Sequence, residues 1–180
     1  MTQSTRTHIA LLLERLARLA ASETWSDELN PAQRAALGYL DRANRFSRAP
    51  SQVADYLSAT RGTVSQTLKA LARKGLIEER RSAADKRSIT YDVTSAGKTA
   101  LNEPGALSGA IDGLSGRESE RLERALSGLL QAAIETRGGK SFGLCRTCRH
   151  HREGSDGRFC DLLRVALSAE DAGRICHEHA

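Results

Sequence analysis

Apolar residues recur every three or four positions at the start of the chain. Ile9, Leu12, Leu13, Leu16, Leu19 and Ala20 share one side, with Glu14, Arg15 and Arg18 between them. That spacing predicts an amphipathic helix. Charges break the apolar run within two turns, so the segment does not read as a signal peptide. "NPAQ" predicts the next helix: Asn30 caps it, Pro31 suits the first helical position, and Gln33 stands where a capping box takes Glu or Gln. Leu37 and Leu40 continue that helix to about Ala43. "RAPSQVADYL" predicts a short third helix starting near Ser51, with Val53, Ala54 and Leu57 inward. A fourth follows, with Thr60 as its cap, Gly75 as its stop, and Val64, Leu68 and Leu71 as its buried stripe.

The period then changes. "LIEERR" and "SITYDVT" read as two short strands, with "SAADK" as the hairpin tip between them. Thr94 opens another helix, interrupted at "NEPG" because Pro104 and Gly105 both oppose its continuation. Ser115 and Glu118 form a capping box for a last long helix, whose stripe is Leu122, Ala125, Leu126, Leu129 and Ala133. "RGGKS" at 137–141 reads as a linker. No stretch of about 20 apolar residues occurs, so no membrane span is expected, and the cytoplasm is the expected compartment.

Charge adds a location to this pattern. Residues 1–100 hold 16 Lys and Arg against 10 Asp and Glu, whereas residues 101–180 hold 11 against 12. The excess concentrates between Arg61 and Arg87, with 8 basic and 3 acidic residues, which is the footprint expected for a polyanion partner. Within it, the fourth helix turns Arg61, Thr63, Ser65, Gln66, Lys69 and Arg73 away from its apolar stripe. These residue types suit a helix lying in a DNA major groove. Gln pairs with an adenine edge, Arg with guanine, and Ser or Thr with bases or phosphates. Arg80, Arg81, Lys86 and Arg87 on the hairpin are placed to reach the backbone and the minor groove. Helix, helix, basic-faced helix and charged hairpin is the order of a winged helix-turn-helix.

The stretch Leu29 to Leu101, above all "TVSQTLKALARKGLI", the "DKRS" wing and the "VTSAG" helix start, resembles the MarR family of bacterial transcription regulators. The resemblance implies a homodimer whose N- and C-terminal helices interlock, and two wings that grip a palindromic operator on double-stranded DNA. It implies that Asp85 orients Arg87 and that Arg87 enters the minor groove. A small organic effector between the DNA-binding lobes and the dimer helices is common in the family, and the sequence leaves open whether this chain binds one. The Gly- and Pro-rich "LNEPGALSGAIDGLSG" departs from the long unbroken helix usual in the family. The expected fold is therefore mainly α with a small β-hairpin wing. Its parts are an N-terminal dimerisation helix (1–28), a winged helix-turn-helix (29–101), C-terminal dimerisation helices (102–137), and a small metal-stapled Cys-rich extension (138–180).

That extension holds every cysteine of the chain: Cys145 and Cys148 in a Cys-x2-Cys knuckle, Cys160 after 11 residues, and Cys176 after 15 more. In a reducing compartment, clustered thiols point to metal or redox chemistry before disulfides. Four thiolates can enclose one tetrahedral Zn2+ or hold an iron–sulfur cluster. A zinc ribbon normally has two knuckles and this tail has one, while a cluster tolerates irregular spacing; Zn2+ and a cluster both remain open. Unligated thiols, or two disulfides in an oxidant sensor, are the alternatives. The tail's own apolar residues, Phe142, Leu144, Phe159, Leu162, Leu163, Val165, Leu167 and Ile175, make only a small core, so a metal staple is expected. Arg146, Arg149, Arg152 and Arg158 surround the thiols and would favour the thiolate form. His150, His151, His177 and His179 flank the cysteines and are expected outside the ligand set. No Ser-His-Asp, paired-carboxylate or phosphate-loop arrangement appears, and a four-cysteine zinc site leaves no open position, so an enzyme is not expected. A protein adaptor using both modules is the competing class, and the basic stretch from Arg61 to Arg87 opposes it.

Overall fold

The computed structural model describes residues 3–23, 29–81, 89–101, 106–155 and 157–180. Its elements follow the predicted order. Helix α1 (Gln3–Glu23) precedes α2 (Pro31–Arg42), α3 (Pro50–Tyr56) and α4 (Arg61–Arg73). Strands β1 (Ile77–Arg81) and β2 (Ile89–Val93) form an antiparallel hairpin, with Ile77 opposite Val93 and Arg81 opposite Ile89. Helices α5 (Ser95–Thr99), α6 (Ala106–Asp112) and α7 (Gly116–Thr136) come next. The interruption expected at "NEPG" falls between α5 and α6, and residues 102–105 themselves lie outside the described set. No described helix is long and apolar enough to cross a membrane.

The caps form as the side chains dictate. Asn30 Oδ1 accepts from Gln33 N at 2.9 Å, while Gln33 Oε1 accepts from Asn30 N at 3.4 Å. Thr60 Oγ1 accepts from Thr63 N at 3.2 Å. Gly75 ends α4 at φ +70°, a left-handed turn that costs glycine nothing. Glu118 accepts from Ser115 N at 3.0 Å, starting α7.

One core joins α2, α3, α4 and the hairpin. It contains Leu37, Tyr39, Leu40, Val53, Val64, Leu68, Leu71, Ile77 and Tyr91, all buried. The stripe predicted for α4 is the one that is buried. By contrast α7 buries none of its residues, and its stripe of Leu122, Leu126 and Leu129 is exposed. The apolar face of α1 is equally open at Ile9, Leu12, Leu16 and Leu19.

The extension folds into short pieces. Strand β3 (Gly143–Leu144) pairs with β7 (Ile175–Cys176), and β4 (His151–Gly154), β5 (Gly157–Cys160) and β6 (Val165–Leu167) make a three-stranded antiparallel sheet. A 3-10 turn at Cys145–Thr147 and helix α8 (Ala169–Ala172) complete it. Its apolar residues do not all serve one small core. Phe142 and Ile175 pack against the winged-helix core instead, Leu162 is exposed, and Leu163, Val165 and Leu167 remain around the cysteines. Phe142 sits edge-on to Tyr39 and Tyr56, with ring centroids 6.0 and 5.2 Å away. The extension is thus built onto the surface of α2 and α3.

Candidate nucleic-acid interface and cysteine cluster

Helix α4 carries three basic residues, Arg61, Lys69 and Arg73, and no acidic one. These three, with Thr63 and Gln66, are exposed, Lys69 and Arg73 pointing away from the buried Val64, Leu68 and Leu71, and Ser65 is half-buried. Thr63 also takes part in the cap, where its hydroxyl lies 2.8 Å from that of Thr60. Five of the six predicted residues are thus exposed on α4, whose orientation is set by the buried stripe of Val64, Leu68 and Leu71.

The hairpin is basic but internally paired. Arg80 meets Asp92 at 3.1 Å and Glu78 at 3.4 Å, and Arg81 meets Glu79 at 2.8 Å. Asp85, Lys86 and Arg87 lie outside the described residues. Arg48 emerges as a residue that no sequence spacing signalled. Its guanidinium donates to Ala43 O at 3.0 Å and to Asp92 Oδ1 at 2.7 Å, and its own carbonyl accepts from Tyr91 N at 3.1 Å. The end of α2 and strand β2 are thereby tied through one mostly buried side chain. Gly97 fixes the other side of the hairpin. A Cβ there would overlap Leu76 O and stand 2.8 Å from Val93 Cγ1.

A cleft of about 910 Å3 lies between α1, α2 and α5, with Arg34, Asp41, Arg42 and Lys98 among its lining residues.

In the extension, Cys145, Cys160 and Cys176 share one buried cluster with Leu167, and Phe46 from the α2–α3 connection packs against it. Cys148 is half-buried, and all four thiols are free. Burial pushes the Cys145 thiol up to about 11, and the neighbouring sulfurs of Cys176, Cys160 and Cys148 add to the shift. Among the described residues no group of three or more His, Cys, Asp or Glu is arranged to hold a metal ion. His151 Nδ1 lies 3.7 Å from Cys145 Sγ. His179 lies against Gly143, Ser141 and Thr147, with Nε2 3.0 Å from Thr147 Oγ1. His177 turns away from the sulfurs toward Gln52 and Glu178. Of the arginines around the thiols, Arg152 pairs with Asp161 at 2.7 Å and Arg158 with Glu153 at 2.6 Å.

The MarR family model matches residues 28–88, the segment that contains α2, α3, α4 and strand β1 and stops just before β2. Residues 28–88 are a MarR family domain. Three solved structures show the same fold over a longer span. FabT of Streptococcus pneumoniae, solved in complex with DNA, is 24% identical with a TM-score of 0.55, covering 74% of this chain and 99% of that one. An S. aureus MepR–DNA complex is 24% identical with a TM-score of 0.52, covering 73% and 98%. A MarR transcriptional regulator from Methanosarcina mazei Go1 is 17% identical with a TM-score of 0.58, covering 75% and 99%. Comparison with curated proteins gives no match. The cysteines lie beyond the residues that the MarR model matches.

Proposed function

We propose that this chain is a MarR-type, sequence-specific DNA-binding transcriptional regulator that grips a palindromic operator as a homodimer and carries a four-cysteine metal site. The observation that carries the DNA reading is α4: a helix with three basic residues, no acidic one and a polar exposed face, seated on a winged-helix core. Such a face matches the donor and acceptor pattern of the major groove. FabT and MepR, which share the fold, were solved with DNA. In this reading Arg61, Thr63, Ser65, Gln66, Lys69 and Arg73 contact bases and phosphates. Arg81, Lys86 and Arg87 extend the grip from the wing, with Asp85 orienting Arg87.

The dimer rests on α1 and α7. An isolated helix that buries nothing yet presents Leu122, Leu126 and Leu129 in a row needs a cover. Each leucine that a second copy buries contributes about 1.5–3 kcal/mol. The cleft beside α1 and α2 is the place for a small-molecule effector. Its mixture of Arg34, Arg42, Lys98 and Asp41 suits a ligand with a charged group.

Cys145, Cys148, Cys160 and Cys176 are the ligand set, holding Zn2+ or an iron–sulfur cluster. Three of these thiols share one buried cluster and all four are free, which supports the reading, because four soft sulfurs are the donor set that either group takes. The chain acts by binding and not by catalysis.

The test is a titration of duplexes selected from a random pool, repeated across salt concentrations. Affinity that falls steeply with salt, and drops on Arg87→Ala while the dimer persists, supports the reading. Salt-independent binding, or none, sinks it in favour of a protein adaptor. Metal analysis of protein purified without oxygen tests the cysteines. Bound zinc, or iron with sulfide, is expected, and Cys148→Ser should lose it.

A further inference from the structure

Helix α3, the first helix of the helix-turn-helix, brings no cation of its own to DNA. Its sequence, "PSQVADY", holds one acid, Asp55, and neither Lys nor Arg. In this motif the first helix crosses the phosphate backbone while the second lies in the major groove. The extension holds what α3 lacks. Residues 140–152, "KSFGLCRTCRHHR", contain four Lys and Arg, two His and no Asp or Glu.

That stretch belongs to a module seated firmly against both ends of α3. At the last turn, the Phe142 ring meets Tyr56 edge-on, with centroids 5.2 Å apart. At the first turn, Gln52 Nε2 lies 3.0 Å from His177 Nδ1, and His177 N donates to Oγ of the buried Ser47 at 2.9 Å. Ile175 O accepts from Asn44 N at 2.8 Å, and Arg45 donates to Ala166 O at 2.9 Å. Four residues beyond Phe142, Arg146 stands on the 3-10 turn, and Arg149 follows Cys148. The backbone that carries them is held in place. Cys148 N donates to Cys145 O at 3.1 Å, Arg149 N to Ala180 O at 2.8 Å, and His151 N to Cys148 O at 3.0 Å.

The charges of these two arginines are left over. Every described side-chain carboxylate of the extension has another partner. Glu153 pairs with Arg158, Asp161 with Arg152, Glu170 with Arg174, Asp171 with Arg45, and Glu178 with Lys140. Arg146 and Arg149 are exposed, and Arg149 Nε donates only to His150 Nε2, at 3.4 Å.

We infer that Arg146 and Arg149 bind phosphates of the DNA strand that α3 crosses, so that the extension widens the operator contact beyond the recognition helix and the wing. This rests on the DNA reading above. A guanidinium meets a phosphate through paired N–H donors, and a turn already fixed in place loses little freedom on contact. Such contacts add affinity and set register without reading sequence.

The experiment compares the full chain with its Arg146→Ala/Arg149→Ala and Arg146→Lys/Arg149→Lys variants. Anisotropy is measured on the selected duplex and on random DNA across salt, under reducing conditions. Both residues are exposed, so circular dichroism is expected to be unchanged. The Ala variant is expected to make the slope of log affinity against log salt shallower by about 1.8 per copy, the worth of two phosphate contacts. It should weaken binding to selected and random DNA by the same factor. The Lys variant is expected to restore the slope, because the slope counts charges. An unchanged slope in the Ala variant, while the parent chain binds DNA steeply, overturns this proposal and leaves the DNA reading standing. A slope lost in both variants, or a loss confined to the selected duplex, overturns the phosphate contact. A parent chain that binds no DNA overturns both.

Discussion

Two adjacent residues on α4 separate scaffold from recognition. Leu68 is 1% exposed in the core, and Lys69, the next residue, is exposed on the opposite face. Leu68→Ala removes a buried side chain from the core that α2, α3, α4 and the hairpin share, which costs about 2–5 kcal/mol. That is a large share of the roughly 5–15 kcal/mol that holds an ordinary domain folded. Lys69→Ala removes a solvated amine on an open face, and its stability should change by less than about 0.5 kcal/mol. Its effect belongs to binding. One lost phosphate contact lowers the slope of log affinity against log salt by about 0.9, and by about twice that when both copies grip one duplex. Urea denaturation followed by circular dichroism gives the first pair of values, and fluorescence anisotropy on a labelled duplex across salt gives the second. A Lys69→Ala protein with an unchanged salt slope, or a Leu68→Ala protein of unchanged stability, would refute the assignment of faces.

Other expectations follow from neighbouring contacts. Gln66→Ala should weaken binding to the selected duplex by roughly 5- to 150-fold, the worth of one bidentate base contact, and leave non-specific DNA binding nearly unchanged. Gly97→Ala pushes a methyl into Leu76 O and Val93 Cγ1, so it should lower stability by about 1–3 kcal/mol in thermal or chemical unfolding. Arg48→Ala cuts the tie between Ala43 O and Asp92 and should cost about 1–2 kcal/mol while reducing DNA affinity more than stability alone explains. Leu126→Glu on the exposed face of α7 should shift sedimentation toward the monomer, and an unchanged mass would remove that face from the dimer.

Local signals carried most of the winged helix. Asn30, Thr60, Gly75 and Thr94 sit where their capping chemistry placed them, because a cap is decided within four residues. The apolar stripe of α4 was equally legible, since helical periodicity fixes which face is buried. Periodicity could not say that the stripe of α7 would stay uncovered within a single chain, because it fixes which face is apolar and not what covers that face. The extension was least legible. Its cysteine spacing marked a cluster, yet Phe142 and Ile175 looked like members of a separate small core. They complete the main one, a choice set by contacts such as His177 to Ser47 that span 130 residues. Arg48 escaped notice for the same reason: its role rests on Asp92, 44 positions away.

DNA binding by the intact chain is the claim on which the rest depends. Anisotropy of the 180-residue chain with a selected duplex, measured across a series of salt concentrations, tests it most directly. The account predicts tight binding whose logarithm falls linearly with log salt, with a slope reflecting several phosphate contacts for each copy. Binding that ignores salt, or no preference for the selected duplex over random DNA, would contradict it.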